Sequence, residues 1–285
     1  MSSDANIVVL GAGVLGLTTA LQLARQGYKN IAVIAKHVPG DSHPDYTSSW
    51  AGANYVPYED LRQESLNLWW KGVVDDSQCL SLGVTFRRVT VGHIREAFDQ
   101  NVPEGSTPDV VVNCTGLWAS KLGGVMDDKV VPMRGQLVIV ENESHGMFSL
   151  SGDGSMKEEF GECCYIIDRQ AAGGTALGGS YYLSWDREPD MALAERVMKR
   201  TIQICPHLVP EGAGIEALRV IRHQVGLRPV RAGGPRIELE TLDEAGEGKL
   251  RVVHCYGAGG FGFQSSYGMA NKAVALVGDT LDRLN

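Results

Sequence analysis

With 285 residues, 44% of them hydrophobic and 21% charged, the chain has the make-up of ordinary globular protein and the length for one large domain or two interlocked ones. A net charge of −8 argues against the basic surface that non-specific nucleic-acid or anionic-membrane binding requires. No apolar run approaches the roughly 18 residues that span a bilayer, and no basic stretch precedes the first apolar run as a secretory leader would need.

The first element is the apolar run Ile7–Leu10, which turns through the hexapeptide GAGVLG, Gly11 to Gly16, into a stretch of helical spacing over Val14 to Gln26. Strand, glycines and helix in that order form a dinucleotide cradle: Gly11 for the tight turn, Gly13 for close approach of backbone amides to a pyrophosphate, Gly16 for close helix packing. Gly27 then ends the helix, and Ile31–Ile34 forms the next buried strand. An acid is expected about 20 residues after the glycines to accept ribose hydroxyls of NAD. The strand instead ends Ala35-Lys36-His37, which weakens NAD and leaves Lys36 as a candidate cofactor contact.

Further strands are predicted at Phe86–Val91, at Asp109–Gly116 and at Val252–Gly257, the last two being apolar runs that end in small residues. Between them Val138–Val140, Cys164–Ile167 and Leu177–Tyr182 read as strands and Met191–Cys205 as a helix, without a βαβ rhythm. The predicted class is α/β: a Rossmann-like domain with a mostly antiparallel β-sheet substrate domain. The first domain is discontinuous, spanning 1–57, 83–133 and 222–285; the second takes 58–82 and 134–221. The six cysteines show no metal-ligand spacing and read as buried free thiols, and no metal is expected.

GAGVLG, SSWAGANY (Ser48 to Tyr55), VVNCTGLWASKLGG (Val111 to Gly124), PMRGQ (Pro132 to Gln136), VGLRPVRAGGPR (Val225 to Arg236) and YGAGGFGFQSSYG (Tyr256 to Gly268) together resemble the D-amino acid oxidase family. The resemblance covers nearly the whole chain in order. It implies an FAD-binding domain and an enzyme that takes a D-amino acid and O2 to an imino acid and hydrogen peroxide. It also implies a peroxisomal enzyme and a homodimer, although Arg283-Leu284-Asn285 is not an SKL-type address.

Carried over motif by motif, the resemblance makes Arg228 the holder of the substrate carboxylate, a task that suits a planar guanidinium. Tyr165 would donate its hydroxyl to the same carboxylate. Tyr181 would lie across the entrance, with Tyr182 beside it as an alternative register. Gln264 would orient the amine near the flavin edge. For FAD, Gly11, Ala12, Gly13, Val14 and Leu15 would cradle the pyrophosphate; Thr47, Ser48, Ser49, Gly52 and Asn54 would run past the ribityl chain and flavin. Val91 is implied as an adenine contact, Gly259, Gly260, Gly262 and Phe263 would approach the pyrimidine side, and Arg228 and Gln264 are implied as cofactor contacts as well.

At the position just after Gly178-Gly179-Ser180 the chain has Tyr181, which favours neutral substrates, because a buried side-chain carboxylate without a partner costs several kcal/mol. An inward Arg222 or His223 would favour D-aspartate instead. Between Tyr58 and Leu82 the sequence is shorter than the family pattern, enough for one short amphipathic helix carrying Leu61, Leu66, Trp69 and Trp70. The alternatives are therefore a D-aspartate oxidase, a glycine or sarcosine oxidase, or an inactive shortened relative that binds flavin weakly.

Overall fold

The computed structural model describes residues 4–51, 76–100, 105–150, 160–169, 174–244 and 248–284. Gly52, Asn54 and most of the 58–82 segment lie outside the described residues. The chain divides into two compact units, Met1–Ser49 with Tyr55–Val131 and Pro229–Asn285, and Trp50–Asn54 with Pro132–Arg228.

The first unit is built on a six-stranded sheet. Its strands are β1 (Asn6–Leu10), β2 (Asn30–Ala35), β3 (Thr85–Arg88), β4 (Val110–Asn113), β10 (Arg236–Glu244) and β11 (Gly248–Tyr256), in the order β10-β11-β4-β1-β2-β3. All neighbours pair in parallel except β10 with β11. Alternation along β1 divides its side chains between two cores. Ile7 and Val9 enter a cluster with Leu17, Leu21, Val274 and Val277, whereas Val8 and Leu10 join Ile34, Ile94 and Leu122 on the other face. Burying both faces is what an uninterrupted apolar strand such as Val110–Val112 requires, and each fully buried Val or Leu contributes about 1.5–3 kcal/mol.

Helix α1 (Val14–Arg25) and a long C-terminal helix cover the first of these faces. The latter, Gly262–Asp282, buries Met269, Ala273, Val277 and Leu281 at successive i, i+4 positions. The strand expected over Phe86–Val91 stops at Arg88, and Val91 packs in the second core with Ile94 and Phe98. A six-residue helix α2 (Asp76–Ser81) is the described part of the shortened segment.

In the second unit β5 (Val130–Val140), β6 (Phe148–Ser149), β7 (Phe160–Asp168), β8 (Thr175–Leu183) and β9 (Val220–Arg231) form a sheet in the order β6-β7-β8-β5-β9. The pairs β6/β7, β7/β8 and β5/β8 are antiparallel. Unit boundaries fall inside β5, at Val131/Pro132, and inside β9, at Arg228/Pro229. Helix α3 (Met191–Ile204) lies on one face, where Leu193, Ala194 and Val197 meet Val138, Val140, Ile166 and Leu177. The Asp190 carboxylate caps it by accepting from the Ala192 and Leu193 amides at 2.9 and 3.1 Å. The opposite face carries Leu137, Ile139, Ile167 and Tyr165. The C-terminal helix is α4.

Candidate active site and cofactor cradle

In the first unit the carboxyl end of β1 meets the amino end of α1 through bare backbone. Gly11 has φ +109°, and a Cβ there would lie 2.6 Å from the Cys114 carbonyl oxygen. A Cβ on Gly16 would overlap the Gly11 carbonyl. Ser48 walls the loop: its Oγ accepts from the Val14 amide at 3.0 Å and would stand 3.1 Å from a Cβ on Gly13. Tyr46, buried behind it, donates its hydroxyl to the Ala12 carbonyl at 2.6 Å, and burial pushes that phenol up to about 12.

The glycine run 259–262 arrives at the same place. A Cβ on Gly262 would lie 3.6 Å from Val14 Cγ1, so the first residues of α1 and α4 are neighbours. Neither helix is capped by the side chain of its own N-cap residue, Gly13 or Phe261, and neither has an acid in its first turn; Ser48 takes the Val14 amide of α1. Two helix N-termini side by side with no acid in either first turn, floored by glycines that admit no Cβ, suit a diphosphate.

Of the other residues expected here, Thr47, Ser48 and Ser49 form a single 3-10 turn, and exposed Ser49 donates to the Asp41 carbonyl at 2.7 Å. Lys36 is exposed at the end of β2; Leu15 and Ala12 are buried, and Gly260 is exposed. Gln264 and Phe263 are half-buried in the first turn of α4. Val91 is 5% exposed and sits in the core described above, on the sheet face away from α1.

In the second unit the Arg228 guanidinium lies over Gly135, where a Cβ would overlap it. It donates to the Ser180 carbonyl at 3.0 Å and to the Tyr165 hydroxyl at 3.4 Å, and its Cζ stands 5.2 Å from the centre of the Tyr181 ring. The Tyr165 ring rests on Gly178 and its hydroxyl on Gly179, as both glycines would carry a Cβ into it. Burial pushes the Tyr165 phenol up while Arg228 draws it down, and the net direction is up. Tyr182 turns the other way and donates to Glu162 at 3.2 Å, so the register that pairs Tyr181 with Arg228 is the one adopted. Among the described residues Arg228 has no carboxylate partner.

The Arg228 segment is strand even though Pro229 removes a backbone amide: β9 is an edge of its sheet, and an edge tolerates the missing amide. Arg222 is exposed and donates to Gln224 at 3.0 Å; His223 has a buried Nδ1 without a hydrogen-bond partner. Sequence reasoning missed Gly135, Ser180 and Tyr46. A glycine inside an otherwise apolar strand, as in Met133-Arg134-Gly135-Gln136, is the usual sign of close approach and was the available signal for the first. All six cysteines are free, five of them buried.

The family model described as DAO, FAD dependent oxidoreductase, matches residues 6–79 and 76–276. A D-amino-acid oxidase of Fusarium vanettenii is 33% identical across 95% of this chain and 96% of its own length. A D-aspartate oxidase of Cryptococcus neoformans is 27% identical across 97% of each chain. The Fusarium match runs over 355 positions, more than the 285 residues present here, so that relative carries residues this chain lacks. Among solved structures, glycine oxidase from Bacillus cereus superposes with a TM-score of 0.62 at 16% identity, covering 97% of this chain and 98% of its own. L-proline dehydrogenase from P. horikoshii gives 0.58 at 16% identity, with 97% and 94% covered. FAD is the cofactor of these enzymes' family, and the diphosphate cradle of the first unit fits it. The chain belongs to the DAO family of FAD dependent oxidoreductases.

Proposed function

We propose that the protein oxidises neutral D-amino acids to imino acids, which water converts to 2-oxo acids and ammonia, while O2 is reduced to hydrogen peroxide. The observation that carries this reading is Arg228: a half-buried guanidinium, held in place by Ser180 and Tyr165 above a glycine, with no carboxylate partner among the described residues. A cation pinned in position without a counter-ion is ready to take the α-carboxylate of a substrate.

Bound FAD supplies the acceptor for the hydride from the substrate Cα and passes the electrons to O2. The side chains bind and orient. Arg228 grips the carboxylate, and the Tyr165 hydroxyl, kept protonated by burial, adds a donor to it. Tyr181 lays its ring against the guanidinium and shields that grip from water. We assign Gln264 to orienting the substrate amine. No side-chain base at Cα is invoked, because the amine only has to be deprotonated and the Cα–H aligned.

Neutral substrates are favoured because the groups around the guanidinium are Tyr165, Ser180 and Tyr181, and among the described residues no second cation is hydrogen-bonded into the set. A buried second carboxylate there would go unpaired. The test is a peroxide assay of the FAD-loaded chain with D-alanine, D-aspartate, L-alanine and glycine. Fastest turnover of D-alanine is expected. Faster D-aspartate would overturn the neutral preference, faster glycine would favour the glycine-oxidase reading, and no turnover by a chain that holds FAD would leave an inactive shortened relative.

A further inference from the structure

At the carboxyl end of β4 a chain of hydrogen bonds runs across the sheet of the first unit and ends against the glycine loop. In parallel register Asn113 stands opposite His254 on β11. Their side chains meet at 3.2 Å, Asn113 Nδ2 to His254 Nδ1, and His254 Nε2 lies 2.8 Å from a carboxylate oxygen of Glu240 on β10. On the other side, Asn113 Oδ1 accepts both the backbone amide and the hydroxyl of Thr115, at 3.1 and 2.7 Å. Asn113 is fully buried and His254 is 1% exposed.

Only one arrangement of protons satisfies this chain. The Thr115 amide is an unconditional donor, so the oxygen of Asn113 must face it and the amide nitrogen must face His254. His254 Nδ1 then has to accept, which places its single proton on Nε2, toward Glu240. A charged His254 would carry a proton on Nδ1 as well, directed at the Asn113 NH2. Turning the Asn113 amide over to relieve that conflict would aim its NH2 at the Thr115 amide. The turn 113–116 is therefore formed cleanly only when His254 is neutral.

The place of that turn gives it a consequence. Chain order runs from β1 outward through β2 and β3, and then returns to β4 on the other side of β1. The carboxyl ends of β1 and β4 thus flank the switch point where open α/β sheets bind their ligands. Thr115 N lies 3.4 Å from where a Cβ on Gly11 would be, and the Cys114 carbonyl lies at 2.6 Å. Any shift of the turn moves the floor of the diphosphate cradle.

We propose that Asn113 and His254 are positioning residues for FAD, acting through Thr115 on the Gly11 turn, and that they support the cofactor only while His254 is neutral. The charged groups facing His254 are Glu240, Glu238 and Arg236 from β10; Tyr256, on its own strand, bonds Arg236 and Asp127. Burial and Arg236 hold the imidazole below its ordinary value against the opposing pull of Glu240 and Glu238, so the neutral form prevails at neutral pH.

The test is the dissociation constant for FAD, measured by flavin fluorescence on the purified full chain from pH 8 to pH 5.5, with far-UV circular dichroism confirming the fold at each point. The wild-type constant should be level above about pH 7 and rise toward about tenfold per pH unit once His254 is charged, since one proton then competes with one cofactor. His254→Asn leaves an acceptor where Nδ1 stood and removes the proton site; it should bind within threefold of wild type at pH 8 and lose the pH dependence. Asn113→Asp favours the charged imidazole and should reverse the slope, binding FAD better at pH 6 than at pH 8. A level profile in both wild type and Asn113→Asp would overturn the proposal, and so would a His254→Asn variant that keeps the wild-type slope, because the remaining histidines would then be its source.

Discussion

Replacing Gly135 by alanine puts a methyl group where the Arg228 guanidinium lies, since the added Cβ would overlap its Cζ and both terminal nitrogens. The overlapped atoms are the far end of a flexible side chain rather than backbone, so the chain should fold and the guanidinium should move. That displacement breaks the 3.0 Å contact with the Ser180 carbonyl and the 3.4 Å contact with the Tyr165 hydroxyl, and the carboxylate grip goes with it. One lost charge-assisted hydrogen bond to substrate costs about 1.5–3 kcal/mol, or about 10- to 150-fold in kcat/KM. Arg228→Ala, which removes the cation altogether, should cost about 2–5 kcal/mol. The assay is peroxide formation with D-alanine at saturating FAD, beside FAD affinity and thermal melting of the same preparation. Gly135→Ala should lose kcat/KM, keep the cofactor, and melt within about 4 °C of wild type. A variant that retains kcat/KM within threefold would refute the placement of Arg228 as the carboxylate anchor.

Three further outcomes follow from the geometry. Gly16→Ala forces a Cβ against the Gly11 carbonyl, a backbone atom that cannot swing away; it should cost about 1–3 kcal/mol of stability and weaken FAD binding, read by melting and fluorescence titration. Tyr165→Phe removes only the hydroxyl that accepts from Arg228 at 3.4 Å and should lower kcat/KM about 3- to 10-fold, without altering a basic limb, because burial keeps that phenol protonated well past neutral pH. Asp127 accepts from Arg231 at 2.7 Å and from the Tyr256 hydroxyl at 2.9 Å; burial pushes its carboxyl up, but these bonds outweigh it and hold it below the ordinary 3.8. Its stabilisation is complete above that value and is lost as pH falls below about 4. Asp127→Asn should therefore cost about 3 kcal/mol at pH 7 and flatten the acid end of the stability–pH curve. An unchanged acid limb would contradict it.

The first unit was legible because its local signals agree. An uninterrupted apolar strand, three glycines and a helical stripe all point to one βαβ turn, and Val110–Val112 and Val252–Val253 are buried on both faces as such runs must be. The α4 stripe of Met269, Ala273, Val277 and Leu281 was equally present in the sequence. In the second unit the signals conflict. Pro229 reads as a loop residue but lies in an edge strand, where its missing amide breaks no ladder. Adjacent tyrosines 181 and 182 gave no register; bulges in the pairing of β7 and β5 with β8 set which of them meets Arg228. Gly135 and Ser180 carry no chemistry of their own, and their part in the site exists only through the approach of the Arg228 guanidinium, which is distant from both along the chain and which no local pattern encodes.

The most direct test of the account is the visible spectrum of the purified, FAD-loaded chain mixed with D-alanine in the absence of oxygen. The flavin spectrum should be retained, bleach with D-alanine, stay unchanged with L-alanine, and return on admitting air with the release of peroxide. A chain that holds FAD yet bleaches with neither isomer, or with L-alanine alone, would contradict it.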